Sequence, residues 1–254
     1  YYQRNSSSHD LRQVMMSVEP LTTLDVSSSL WPMQISSHAS ALSTVHNTLM
    51  IKGVLNLGLQ RISARQQSGY YAQISVAATG RVRTMNPNGF YSVFAPSALD
   101  PFISGLNRMN YWLDPLSIIE YNGVSTQKVT GVPNGIAVNS TNKYGKLQIN
   151  LNGIADVDYV RPEFDSVVFV RSALLLTNGE LNLNESHAYP GNGLSIVLEG
   201  GCQIYRAAGY LRSEAINGSS AVHWQLSGTS TYELPFGFNS ASYIPFQYQC
   251  LSNC

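Results

Sequence analysis

Apolar and polar residues alternate along most of the chain after residue 48. The stretches Lys146–Asn152 and Val222–Ser227 follow this period of two without interruption. Alternation of this kind is typical of β-strands that have one face in a core and the other in water. The sequence therefore predicts half-buried strands, and we expect them to pair in an antiparallel manner. Further candidate strands are Leu49–Leu59, Tyr70–Ala77, Tyr91–Phe94, Ile118–Tyr121, Val167–Val170, Leu194–Leu198, Cys202–Tyr205 and Tyr232–Leu234.

Turn-forming residues separate these candidate strands. The dipeptides Asn122-Gly123, Asn152-Gly153 and Asn178-Gly179 are typical of tight hairpin turns. Short helical segments are expected only near residues 36–48 and 97–106, and no pattern predicts a helix of three or more turns. The sequence therefore predicts an all-β fold, an antiparallel two-sheet jelly-roll sandwich over residues 49–254 with a short C-terminal tail.

Residues 1–48 have a different pattern. Polar runs at Asn5–Ser8 and Ser27–Ser29 flank isolated apolar residues with no sustained period. We expect this segment to be a largely extended arm that becomes ordered by lying on another surface. The chain begins at Tyr1 rather than Met, as expected of a product that was trimmed or released from a precursor.

Charged residues are scarce. Only 12% of the chain is Asp, Glu, Lys or Arg, and the formal net charge is zero. In soluble domains roughly a quarter of all residues are charged, and a net charge helps to keep free monomers dispersed. No segment is apolar enough to enter a membrane. We therefore expect much of the surface to be covered by neighbouring subunits.

The basic residues are unevenly placed. No Asp or Glu occurs between Val26 and Leu99, a stretch that holds five cations. One interpretation is that this stretch faces an anionic partner, such as packaged nucleic acid or an acidic subunit; the other is a polar sheet with an unequal share of charges. Because the first 48 residues lack a run of Lys and Arg, only weak contact with RNA is expected. The cations are Lys52, Arg61, Arg65, Arg81 and Arg83.

Recognisable catalytic and cofactor motifs are absent from the sequence, so we expect no enzymatic activity and no cofactor. Asp156 and Asp158 would point the same way in an extended strand and are calcium candidates, although a solvated loop explains them as well. Cys202 alternates with Ile204 and is expected in the core. Cys250 and Cys254, with three residues between them, could serve a metal only if two further ligands came from elsewhere.

A motif near the end of the chain resembles one found in a known protein family. Gly228–Phe236 closes with Glu-Leu-Pro-Phe and is followed by the aromatic segment Tyr243–Phe246. This pattern resembles capsid proteins of picorna-like viruses of the algal or insect branches, which are positive-strand RNA viruses. The resemblance implies a jelly-roll subunit of an icosahedral shell that encloses RNA and contacts related subunits, located in the virion and assembled in the host cytoplasm.

In such a shell, buried aromatic residues are expected to carry much of the contact energy between subunits. An alternative function is an extracellular carbohydrate-binding or adhesive β-sandwich, in which Tyr111, Trp112 or Tyr210 would stack on sugars. The candidate interface residues are Trp31, Trp112, Phe236, Phe238, Tyr243 and Phe246.

Overall fold

The strands of this protein stack along the chain in parallel coils rather than folding back as hairpins. The structure, a computed structural model, describes residues 15–28, 33–35, 47–64, 72–91, 98–100, 109–133, 143–151, 159–162, 166–183, 195–213, 221–226, 228–239 and 242–251. Within these residues it is all-β, and they form a β-solenoid. The predicted all-β class is confirmed, but the predicted antiparallel jelly-roll sandwich was wrong.

Each of the first three coils of the solenoid contributes three short strands, and the fourth contributes four. The first coil holds β1 (Met15–Val18), β2 (Thr23–Asp25) and β3 (Met33–Ile35). The second and third hold β4 (Asn47–Ile51), β5 (Val54–Asn56), β6 (Ile62–Ala64), β7 (Ala72–Val76), β8 (Arg81–Thr84) and β9 (Leu99–Asp100). The fourth holds β10 (Met109–Leu113), β11 (Ile118–Tyr121), β12 (Gln127–Val129) and β13 (Val132–Pro133).

The second half of the solenoid contains some longer strands among the short ones. Its strands are β14 (Tyr144–Asn150), β15 (Tyr159–Pro162), β16 (Ser166–Asn178), β17 (Glu180–Asn182), β18 (Ser195–Leu198), β19 (Gln203–Arg206), β20 (Tyr210–Arg212) and β21 (Ala221–Trp224). The chain ends with β22 (Thr231–Asn239) and β23 (Ser242–Gln249).

Equivalent strands of successive coils pair in parallel and build the faces of the solenoid. The first face begins with β1, β4, β7 and β10, and the second face consists of β2, β5, β8, β11, β14, β16 and β19. A third face begins with β3, β6 and β9 and continues separately through β12, β15, β17, β20, β22 and β23. Among the described strands only β13–β16 and β22–β23 pair antiparallel.

Aliphatic side chains stack in rows inside the solenoid. On the second face, Leu55, Val82, Ile119, Leu147 and Leu174 are register partners on successive strands, and each is fully buried. Their chain neighbours on both sides point outward. Since one side of each sheet is interior and the other faces outward, parallel strands show the same alternation that the sequence analysis assigned to antiparallel strands.

A long strand turns the corner between two faces of the solenoid. Residues 167–170 of β16 pair with β18, whereas residues 173–176 pair with β19. Arg171 lies at this bend and donates hydrogen bonds to the carbonyl oxygens of Leu113 and Lys143. Partial burial lowers the pKa of the Arg171 guanidinium. The side chain thus ties three successive coils together at the corner.

The predicted turn dipeptide at Asn122-Gly123 forms a corner of a coil instead of a hairpin. The N–H of Gly123 donates to Oε1 of Gln127 at 2.7 Å, and Nε2 of Gln127 donates to the carbonyl of Thr84 at 3.0 Å. A buried glutamine therefore satisfies the backbone of two successive coils.

The predicted boundary at residues 48 and 49 lies inside β4, and β1–β3 belong to the predicted arm. β1–β3 pair with β4–β6 as the first coil. Most of both predicted helical segments lies outside the described residues, and their described parts, 47–48 and 98–100, include strand residues and no helix. Within the described residues, no helix is long and apolar enough to span a membrane.

Candidate interaction surfaces

The core row of the third face reaches solvent at the C-terminal end of the solenoid. Leu181, Leu211, Phe236 and Ile244 occupy equivalent register positions on successive strands. Leu181 and Leu211 are fully buried, Phe236 is half-buried, and Ile244 is 54% exposed. Positions that are interior in earlier coils are therefore open on the last strand.

Two more pairs on the terminal hairpin show the same change. Phe246 lies opposite Leu234, and Tyr248 lies opposite Tyr232. Leu234 packs against the core, and Tyr232 contacts the ring of Trp224 edge to face with centroids 5.0 Å apart. Their β23 partners are about half exposed, as is Phe238. We call the four exposed apolar side chains Phe238, Ile244, Phe246 and Tyr248 the terminal stripe.

A small cleft lies beside the terminal stripe. Its volume is about 130 Å³. The row residues Leu211 and Phe236 and the stripe residues Phe238 and Ile244 line it, together with Ser213 and Gly237. The cleft could therefore accept an apolar side chain of a partner next to the terminal stripe.

The outer backbone edge of β23 is interrupted by a proline. Cys250 N–H donates to the carbonyl of Ser230 at 3.2 Å, which makes these two residues a hydrogen-bonded pair of the antiparallel ladder. Because such pairs alternate, the opposed residues Pro235 and Pro245 occupy a non-hydrogen-bonded pair. Pro245 therefore faces the outer edge of β23, where it lacks an N–H donor. A proline at this position disfavours the addition of a further strand.

The opposite face of the hairpin is polar and already engaged within the chain. Tyr243 donates a hydrogen bond to Glu233, and Nε2 of Gln247 donates to the same carboxylate at 3.0 Å. The hydrogen bond from Tyr243 is the main reason that the pKa of Glu233 is lowered. Arg206 lies over the Tyr243 ring, with its guanidinium carbon 4.0 Å from the centroid. This face is thus tied to the preceding coil.

A second surface follows the outside of the second face. Its side chains form two outward rows. On each strand, the residue of the first row comes two positions after the residue of the second row. The first row is Asp25, Asn56, Arg83, Glu120, Gln148, Leu175 and Tyr205. The second row contains Arg81, Ile118, Lys146, Ala173 and Gln203.

Two arginines share one carboxylate in these rows. Oε2 of Glu120 accepts hydrogen bonds from Nη1 of Arg81 at 3.2 Å and from Nε of Arg83 at 2.9 Å. Its Oε1 accepts a hydrogen bond from Nδ2 of Asn150 at 2.7 Å. Glu120 is 2% exposed, whereas both guanidinium groups are partly exposed. The carboxylate is satisfied, while the local charge remains positive.

The neighbouring coil adds polar groups to this cluster. Gln148 is buried beside Glu120 and donates from Nε2 to Oγ1 of Thr177 at 2.9 Å. Its Oε1 has no hydrogen-bond partner. Lys146, in the second outward row, forms no ion pair with a described residue. The cluster therefore has unused donors and a buried unused acceptor.

Four of the six candidate interface residues from the sequence lie on the terminal hairpin of β22 and β23. Phe238 and Phe246 belong to the terminal stripe, Phe236 is half-buried beside it, and Tyr243 is on the polar face of the hairpin. Trp112 is on the first face and 38% exposed, while Trp31 lies outside the described residues. Of the three aromatic residues expected to stack on sugars, Tyr210 is buried and donates to Glu180, and Tyr111 contacts the rings of Phe90 and Tyr91.

The basic residues expected to face an anion are partly engaged within the chain. Arg81 and Arg83 contact Glu120, and Lys52 forms an exposed ion pair with Glu19 at 3.4 Å. Arg61 also has a partner. Arg65 lies outside the described residues, as do the calcium candidates Asp156 and Asp158. In the described part of the chain, no three acidic, His or Cys side chains group as metal ligands would.

Two sets of residues in these regions were not predicted from the sequence. Ile244 and Tyr248 alternate with polar residues around Phe246, so a strand with one apolar side could have been inferred there. Glu120, Gln148 and Tyr205 are far apart in sequence, and only the parallel register brings them into one row. Comparisons with protein-family models, curated proteins and solved structures found no match to this chain.

Proposed function

We propose that this chain is a structural protein that works by assembling with neighbouring subunits, which dock on the open C-terminal end of the solenoid. The main support is that the core row ending in Ile244 continues past its last buried position, and none of the described residues forms a polar cap over it. Repeat folds need polar terminal caps to remain soluble as monomers. A covering subunit would play that part here.

The chemistry of this end favours contact through side chains. The terminal stripe supplies large apolar and aromatic groups, which are the residues that concentrate binding energy at interfaces. Pro245 disfavours extension of the sheet along the outer edge, so the docked subunit packs against the stripe and the adjacent cleft. The scarcity of charged residues supports the same function, because a surface that is covered in the assembly does not need them.

The setting we propose for this assembly is the shell of a positive-strand RNA virus, with copies and sister proteins as partners. It rests on the resemblance of residues 228–236 and 243–246 to picorna-like capsid proteins. The subunit we propose for such a shell is a β-solenoid and not a jelly roll. Electron microscopy of native material tests the setting, which predicts closed particles that contain RNA. Native material without RNA-containing particles would rule it out.

Sedimentation of the purified full chain tests the docking end. We expect a species much larger than the 27.8 kDa monomer. The double substitution Ile244→Ser with Phe246→Ser should release monomers, because it removes two central contacts of the terminal stripe. The matched control is Leu59→Ser with Leu116→Ser, which changes two exposed leucines in turns of other coils.

The outcomes distinguish docking at the terminal stripe from nonspecific hydrophobic association. If only the stripe variant dissociates, and its circular dichroism and melting resemble those of the control, the open end is the docking site. A wild-type chain that stays monomeric at millimolar concentration, alone and with its sister proteins, would overturn the proposal. An assembly that survives the stripe substitutions would also overturn it.

A further inference from the structure

The outward rows of the second face form a regular binding surface. Parallel strands are about 4.8 Å apart, and residues of one row therefore repeat at that distance. From Arg83 to Tyr205 the first row crosses four strand intervals, or about 19 Å. This spacing suits an extended polymer that lies across the strands and places about one small unit on each coil.

One end of the surface is cationic. Arg81 and Arg83 share the carboxylate of Glu120, and Lys146 lies in the second row on the next strand. Each guanidinium has five N–H donors, of which the contacts with Glu120 use one in Arg81 and one in Arg83. The remaining donors are partly open to solvent. They can bind carboxylate or sulfate groups in the forked geometry that arginine prefers.

The middle of the surface carries neutral polar groups. Oε1 of Gln148 lacks a hydrogen-bond partner, and a buried acceptor of this kind costs stability until a donor reaches it. A hydroxyl group of a ligand would supply that donor once the side chains that cover the amide move aside. On the other side of Arg83, Nδ2 of Asn56 already donates a hydrogen bond to Asp25 at 3.1 Å.

The far end of the surface carries apolar side chains, and its last residue is aromatic. Ala173 and Leu175 occupy the two rows on β16. Next to them on β19, Tyr205 is 60% exposed. An exposed aromatic ring next to apolar side chains is suited to stacking against the flat face of a sugar ring.

We propose that this surface binds an acidic glycan, with its carboxylate or sulfate groups at Arg81, Arg83 and Lys146 and a sugar ring on Tyr205. Single-stranded RNA fits less well, because a phosphodiester chain carries a charge at every unit. Here the coils toward Tyr205 present Ala173, Leu175 and Gln203 in place of cations. This site is separate from the terminal stripe and does not depend on the proposed assembly.

Isothermal titration of the full chain with four matched probes tests the site. The probes are a tetrasaccharide of uronic acid, a sulfated tetrasaccharide, a neutral glucose tetrasaccharide and a tetranucleotide of uridine. We expect at least one acidic tetrasaccharide to bind at least tenfold more tightly than the neutral one and the nucleotide. Which acidic probe binds better identifies the anionic group.

Two substitutions that leave Glu120 and its two arginines unchanged locate the binding surface. Lys146→Gln and Tyr205→Ser should each weaken acidic-glycan binding about tenfold, because each removes a proposed ligand contact. Neither change should disturb the fold, since neither side chain has a described ion pair to lose. The matched controls are Lys128→Gln on β12 and Tyr248→Ser in the terminal stripe, which should bind as the wild type does. Absence of acidic-glycan binding at millimolar concentration, tighter binding of the nucleotide or the neutral sugar, or full affinity in both test variants would overturn the proposal.

Discussion

The hydroxyl of Tyr121 lies 2.8 Å from the hydroxyl of Tyr144 inside the solenoid. Tyr121 also accepts hydrogen bonds from the N–H groups of Thr130 at 3.0 Å and Phe90 at 3.3 Å. Burial raises the pKa of Tyr121 and raises that of Tyr144 well above its usual value. A buried polar network thus joins strands β11 and β14 to the residues that follow β8 and β12.

The network predicts loss of stability at alkaline pH. Both phenols stay protonated in the folded state, whereas in the unfolded chain they release protons near pH 10. The unfolded state then binds fewer protons than the folded state, so the free energy of unfolding falls as the pH rises above about 10.

Tyr144→Phe isolates one member of this network. At pH 7 it should lower the free energy of unfolding by about 1 kcal/mol, the usual value of one lost hydrogen bond. It should also reduce the alkaline loss of stability, because one shifted group is gone. Urea unfolding at several pH values between 7 and 11.5 measures both effects. Identical pH dependence in the variant and the wild type would contradict the assigned role of Tyr144.

Cys202 is predicted to be unreactive in the folded protein. Its thiol is buried, and desolvation raises its pKa to about 12. Since the thiolate is the reactive form, iodoacetamide at pH 8 should label Cys202 only after unfolding. Mass spectrometry of the labelled peptide with and without urea measures the difference. Cys250 is disulfide-bonded and serves as an internal unlabelled reference when reductant is omitted. Rapid labelling without urea would show that the core around Cys202 opens readily.

Gly89 and Gly201 make a matched test of backbone packing. Both have a positive φ, +78° and +83°. A Cβ at Gly89 would lie 2.0 Å from the carbonyl oxygen of Lys128, whereas a Cβ at Gly201 would meet nothing within 4 Å. Gly201→Ala should therefore cost about 1 kcal/mol for its backbone conformation alone. Gly89→Ala should cost at least twice as much, because β12 must also move. Equal urea midpoints for the two variants would contradict the close approach of the two coils.

The sequence pattern predicted strands but not how they pair. Ile118–Tyr121 forms β11 with the predicted bounds, because apolar and polar alternation depends only on which side of the sheet is interior. When the outer side of a parallel sheet is polar, its strands show the same alternation as antiparallel strands, so the sequence does not reveal the pairing direction. No fixed repeat is visible either, since the distance between stacked residues varies from 27 residues, Leu55 to Val82, to 37 residues, Val82 to Ile119.

The candidate surfaces were predictable only in part. The aromatic character of Phe238 and Phe246 suggested contact residues, but their exposure follows from the position of β23 at the end of the solenoid. The shared contact of Arg81 and Arg83 with Glu120 could not be inferred, because the carboxylate lies 37 residues after Arg83. Only the register between β8 and β11 brings these groups together.

Glu120→Gln tests the charge balance of the second face. The substitution keeps the size of the side chain but leaves two neighbouring guanidinium groups without their carboxylate. Breaking a fully buried ion pair costs about 3–5 kcal/mol, and because both arginines are partly solvated we expect about 2 kcal/mol here. Urea unfolding at low salt measures the loss. The loss should become smaller when Arg81→Gln is also present, because that removes the repulsion between the two guanidinium groups. Glu19→Gln, in the exposed pair with Lys52, is the control and should not change the urea midpoint. Equal effects of Glu120→Gln and the control would show that the shared carboxylate does not stabilise the stacking of β8 on β11.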